Sequence, residues 1–257
     1  MFNIVSKLKD KRSLWPYFFE FITVLLSVYL AFLITEWREN HKEKQDTKLS
    51  IERLNQEIFQ NYREIISFKE DVAIRLENMQ KIEDIIDPNI CFAEYIPVFN
   101  GFRYARFDDA SWKRANNTKI GNLMPIDYTE WVHDLYSSNL HLDQHNLLIN
   151  KLMYSKQIFE SKDCKSSYKI AELYAWQQAI WSISDVYNYT RFIQEYRPYF
   201  EDLLTQDSTT LAYFVSRDTL SKEEWKAVLK KERRHIDKFR SSAQTRKIFE
   251  KIRNNQN

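Results

Sequence analysis

The sequence predicts an all-α protein: an N-terminal transmembrane helix continues into a long stalk helix, and a C-terminal antiparallel helical bundle follows. Three observations carry this. No glycine or proline lies between Tyr17 and Asp87. The first part of that stretch is apolar over a membrane's thickness, whereas the rest repeats apolar side chains at helical spacing. The whole chain of 257 residues holds only 2 glycines and 5 prolines, so it encodes few turns and must be built from few, long elements.

Taken in order, residues 1–16 form a basic tail with Lys7, Lys9, Lys11 and Arg12. Residues 17–36 are the transmembrane helix, long enough at 1.5 Å per residue to cross a hydrocarbon core of about 30 Å. Trp15 and Trp37, with Arg38, sit where interfacial side chains belong. The run is too long for a signal peptide, and Tyr29 breaks any small-x-small cleavage pattern near Ala31, so an uncleaved signal anchor is expected. Arg38, Lys42, Lys44 and Lys48 balance the four bases before the span. The free amine and the short tail then favour an inside N-terminus and an outside C-terminal domain.

Residues 37–87 read as a juxtamembrane stalk that packs on the bundle. Its stripe of Leu54, Ile58, Ile65, Phe68, Val72, Leu76, Met79, Ile82 and Ile86 has a near-heptad period, the pattern of a coiled coil. Asp71 with Arg75 and Glu77 with Lys81 add acid-before-base pairs. Proline disfavours helix in the residue before it, so Asp87-Pro88 ends the stalk. An unbroken span and stalk would reach roughly 105 Å at that rise.

Residues 88–257 form the bundle. Pro88, Pro97 and Gly101 mark residues 88–110 as an irregular crossover. A short helix through Trp112 should close at Gly121 in a left-handed cap. Asp127 to Glu130 reads as a capping box opening a second long helix, with Trp131, Leu135, Leu142, Ile149 and Leu152 on its apolar side. A third helix covers 168–197 and stops at Pro198. A short piece at 211–215 precedes a second capping box, Ser221 to Glu224, which opens a last helix reaching about residue 253.

Glu20, followed by Trp37-Arg38-Glu39 and Glu57-Ile58-Phe59-Gln60-Asn61, resembles a group of uncharacterised bacterial single-pass membrane proteins with a W-x-E junction at the membrane exit. Ser111-Trp112-Lys113-Arg114-Ala115, Gly121 to Pro125, and Leu135-Tyr136 resemble a second block of such proteins. The resemblance covers about a third of the chain. It implies a bacterial inner-membrane location and a helical fold, and it implies no mechanism.

Chemistry-bearing motifs are scarce. His133, His141, Asp143 and His145 are the best imitation of a metal site, and His141 and His145 share a helix face. The zincin pattern needs glutamate directly after the first histidine, where Leu142 stands. His145 also falls on the apolar stripe, so the group is expected to be structural, with His145 hydrogen-bonded in the core. There is no G-x-S-x-G turn and no phosphate-cradling glycine loop, so no catalytic residue and no cofactor is expected. Cys91 and Cys164 are too few for a disulfide framework, and whether they pair is open.

Two further features invite a partner. Glu20 lies one turn inside the span, where an acid is costly; it either reaches the headgroups or, with Thr23 and Ser27, makes a helix-to-helix contact. The last helix is basic, with Lys230, Lys231, Arg233, Arg234, Lys238 and Arg240 as candidates for contact with an anionic surface. Its apolar positions fit packing on the bundle and leave the charge as a solvated face. The net charge of +2 does not suit a nucleic-acid binder.

These features favour a non-catalytic, membrane-anchored binding or sensing module. Its partners would be the lipid bilayer and a second copy or another membrane protein. A membrane-perturbing effector of a bacterial stress or defence system is the alternative from a different class, and a membrane-tethered metal-dependent hydrolase is the third.

Overall fold

The computed structural model describes residues 14–87, 90, 92–98, 101, 104–155, 158, 163–218 and 220–241. Among them there are helices and no strands. The long elements are α1 (Leu14–Ile82), α3 (Ile126–Met153), α4 (Cys164–Glu195) and α7 (Lys222–Ser241). The short ones are α2 (Ala110–Asn116), α5 (Glu201–Gln206) and α6 (Ser208–Asp218). The chain separates into two compact units, Met1–Ser50 and Ile51–Asn257.

In the first unit, α1 runs without a break through the apolar stretch and the charged stretch beyond it. Its 18-residue apolar window has a mean hydropathy of 2.1, and none of it is buried. This is one helix long and apolar enough to cross a membrane. Residues 37–46, just beyond the apolar run, are exposed on every face.

The second unit is a helical bundle built on the remainder of α1, α3 and α4. From Leu54 onward, buried positions in α1 alternate in steps of four and three: Leu54, Ile58, Asn61, Ile65, Phe68, Val72, Arg75, Met79 and Ile82. The same alternation holds in α3 from Tyr128 to Met153 and in α4 from Cys164 to Phe192. Steps of four and three average 3.5 residues, close enough to the 3.6 of a helix turn to keep one side of each helix on the common axis. Full burial of a Leu, Ile or Phe stabilises by about 1.5–3 kcal/mol, so this seam is the main source of bundle stability.

Cross-helix hydrogen bonds set the directions. Tyr62 pairs with Thr190 at 3.1 Å and Arg75 with Gln178 at 2.7 Å, so α4 runs antiparallel to α1. Asn139 meets Tyr189, and Gln178 meets Asn146, so α4 is antiparallel to α3 as well. It follows that α1 and α3 run the same way, and residues 83–125 must carry the chain back along the bundle. They do so as the expected crossover: Asn61 and Asp108 exchange side-chain and backbone hydrogen bonds at 2.8 Å each. Helix α7 packs on α4, with the buried Trp225 edge-on to Tyr187 at 5.3 Å.

Several local expectations change. Helix α1 ends at Ile82, not Asp87; a 3-10 turn (Glu83–Ile85) and an extended Ile86 precede Pro88. Arg75 is buried, 1% exposed, with the Asp71 charge acting on it from the preceding turn, and Glu77 and Lys81 pair at 2.8 Å at the surface. Gly121 is not a left-handed cap: it lies in a 3-10 turn, and a Cβ there would stand 2.8 Å from the Ala115 carbonyl oxygen. The positive φ, +67°, belongs to Gly101. Pro125, not Asp127, is the N-cap of α3, because a proline's missing N–H costs nothing outside the helix. Trp131 is 38% exposed rather than core. The box at Ser221 forms as expected, with Ser221 N–H donating to Glu224 at 2.6 Å and Glu224 N–H to Ser221 at 3.2 Å. Helix α4 starts four residues earlier than position 168 and stops before Pro198.

Candidate functional site

The seam holds more polar groups than a purely stabilising core needs. Arg75, Gln178 and Asn146 form one chain across three helices, with Gln178 donating to Asn146 at 2.9 Å. Asn139 and Tyr189 form a second layer at 2.7 Å, and Ser138 donates to Asp185 in a third. Burial pushes Asp185 up to about 6 and holds Arg75 down at about 10. A buried polar atom left unpaired costs about 1–3 kcal/mol, so a shift of register would strand the partners of these layers.

One end of the seam secures α2. The buried Glu57 carboxylate accepts Ser111 N–H at 2.6 Å, Trp112 N–H at 3.3 Å and the Tyr136 hydroxyl. Those amides are orphan donors of the first turn of α2, whose own N-cap Asp109 makes no side-chain capping bond. Desolvation and the Glu57 charge together drive the Tyr136 hydroxyl far above its ordinary range. Trp112 then stacks on Tyr136 at 5.7 Å between centroids, and His133 meets it edge-on at 6.4 Å. The separate blocks Glu57 to Asn61, Ser111 to Ala115, Gly121 and Tyr136 thus converge on one knot.

Beside that knot opens a cavity of about 320 Å³, walled by Phe107, Trp112 and Tyr136 and edged by Asp109, Lys113, His133 and Asp143. Asp109 and Lys113 are paired at 2.7 Å. Asp143 is half-buried, makes no hydrogen bond or ion pair among the described residues, and is held above the ordinary carboxylate range by burial first and the Asp109 charge second. A larger groove of about 730 Å³ lies along α1 and α6, but its Arg63 and Asp207 already pair at 2.8 Å.

The four metal candidates do not assemble. His133 and Asp143 edge the cavity. His141 is exposed, and His145 stacks on Trp181 at 4.2 Å. His145 Nε2 is buried without the expected hydrogen-bond partner, and burial lowers its pKa. No group of three or more metal-ligating side chains occurs among the described residues.

In the apolar stretch of α1, Glu20 is exposed, and the hydroxyls of Thr23 and Ser27 donate to the carbonyls of Phe19 and Thr23 at 2.8 and 2.7 Å. Trp15, Trp37 and Arg38 are exposed, with Trp37 stacked on His41 at 5.7 Å. Lys230, Lys231 and Arg234 lie exposed on α7, while the side chains of Arg233, Lys238 and Arg240 lie outside the described set. Cys164 is buried at the start of α4; Cys91 lies outside the described residues.

The apolar-stripe reading missed Glu57, Asn61, Asn139, Asn146, Gln178 and Asp185. The signal that finds them is register: each occupies, or adjoins, a four-three position otherwise filled by apolar side chains. No protein-family model matches the chain, and no curated protein and no solved structure matches it.

Proposed function

We propose that this protein is a membrane-anchored, non-catalytic helical module that binds or senses a ligand or partner and self-associates, in the manner of the bacterial single-pass proteins its junction resembles. One observation carries the reading. The helix that supplies a fully exposed apolar window of mean hydropathy 2.1 also supplies, from Leu54, a wall of the bundle's core. An apolar surface of that extent in water is strongly unfavourable, and a bilayer is the solvent that suits it. The bundle's polar layers support the binding half of the reading, because a core that resists a shift of register presents its outer groups in a defined geometry.

Carbonate extraction of cells expressing the full chain tests the anchor. The protein should remain with the membrane pellet, and a variant lacking residues 1–45 should be released. Release of the full chain would defeat the proposal. Protease protection of the bundle in spheroplasts tests the inside placement of the N-terminus: digestion from outside is expected, and protection reverses the orientation.

A further inference from the structure

We propose that the cavity between α2 and α3 is a binding site for a small organic ammonium ion, with the Asp143 carboxylate as its counter-charge. The inference deepens the binding-module reading and rests on it. Three observations on the same groove argue for it.

The first is the state of Asp143. It is half-buried on the wall of the cavity and has no hydrogen-bond or ion-pair partner among the described residues. A partly desolvated carboxylate without a partner is unfavourable, and a cation seated beside it relieves that cost. Its raised pKa is the sign expected of a carboxylate lacking a cation.

The second is the shortage of any competing charge. Lys113, the lysine of the groove, is already held by Asp109 at 2.7 Å. Among the described residues an anion would therefore meet two carboxylates and no uncommitted lysine. A metal ion fares no better, because the described residues offer no cluster of three ligating side chains.

The third is the wall. Trp112, Tyr136 and Phe107 give the cavity an aromatic lining, and its volume of about 320 Å³ suits a small molecule. Aromatic side chains beside a carboxylate that lacks an ion pair favour an alkylammonium group over a hydrated inorganic ion, since they attract its charge and bury its carbon chain together.

Calorimetric titration of the full chain in detergent micelles decides the matter, with butylammonium, 1-butanol, magnesium and zinc as separate probes. Saturable binding of butylammonium is expected, at least tenfold tighter than that of the uncharged butanol. Asp143→Asn should abolish it while leaving the helical circular dichroism intact. Glu130→Gln, exposed on the same helix and outside the cavity, should leave it unchanged. No saturable heat below about 10 mM butylammonium, equal binding of butanol, or undiminished binding to Asp143→Asn each overturns the proposal. Displacement of butylammonium by zinc or magnesium at lower concentration overturns it in favour of a metal site. None of these results bears on membrane retention, which the carbonate extraction reads by itself.

Discussion

The carboxylate of Glu57 on α1 accepts the backbone N–H of Ser111 at 2.6 Å, across 54 residues of sequence. One side chain in the seam thus supplies the cap that the first turn of α2 lacks locally, and α2 forms a wall of the candidate site.

Glu57→Ala should therefore destabilise the bundle by about 3–5 kcal/mol, because it strands two amides and the Tyr136 hydroxyl at once. Glu57→Gln keeps an acceptor and should lose less than half of that. Urea denaturation of residues 46–257 measures both. Equal losses in the two variants would show that packing volume, not hydrogen bonding, is what Glu57 contributes.

Gly121→Ala should cost about 1–3 kcal/mol through overpacking, since its Cβ would approach the Ala115 carbonyl oxygen to 2.8 Å. Gly101→Ala acts by a different route: nothing crowds it, but its φ of +67° is strained for alanine, so a loss of about 1 kcal/mol is expected. Thermal melts of the two variants compare the mechanisms.

Asp185 makes stability depend on pH in the direction opposite to that of an ion-paired acid. Its folded pKa of about 6 lies above the unfolded value of about 4. Between those values the folded state binds a proton that the unfolded chain does not, so this group adds stability as pH falls from about 6 to about 4, by up to about 3 kcal/mol. Asp185→Asn should match or exceed the parent protein at pH 7.5 and lose that advantage by pH 4. A difference between the two that stays constant across this range would refute the assignment.

His145→Ala should lower the melting temperature, because it removes the ring stacked on Trp181, whereas a chelator should leave the parent's melting temperature unchanged. Stoichiometric zinc in the purified protein, lost together with stability on chelation, would restore the histidines as a metal site.

A fragment of residues 46–257 should be strongly helical and unfold cooperatively, since α1 from Ile51 onward, α3 and α4 bury one another's seams within one compact unit. Circular dichroism in urea tests this without lipid. A broad, non-cooperative transition would mean that the bundle needs residues 1–45.

Features that depend on local patterning are legible in the amino-acid order alone. The absence of helix breakers from Tyr17 to Asp87, the apolar run, the stripe from Leu54 to Ile82 and the Ser221 box are legible because helix periodicity and capping act over a few residues. The all-α class and the crossover at 88–110 follow from the same signals. Features that depend on partners distant in sequence emerge only once the helices pack. Arg75 resembles a surface ion-pair residue until α4 brings Gln178 to it, and Glu57 resembles a solvated acid until the crossover brings Ser111 and Trp112 back beside it. Gly121 resembles a cap until α2 places the Ala115 carbonyl against its missing side chain. Trp131 reads as core, yet α3 turns Tyr128, Val132 and Leu135 to the seam and leaves it at the surface. The groove at Asp143 follows the same rule: its acid, aromatic walls and paired lysine come from different elements, and only long-range packing makes them neighbours.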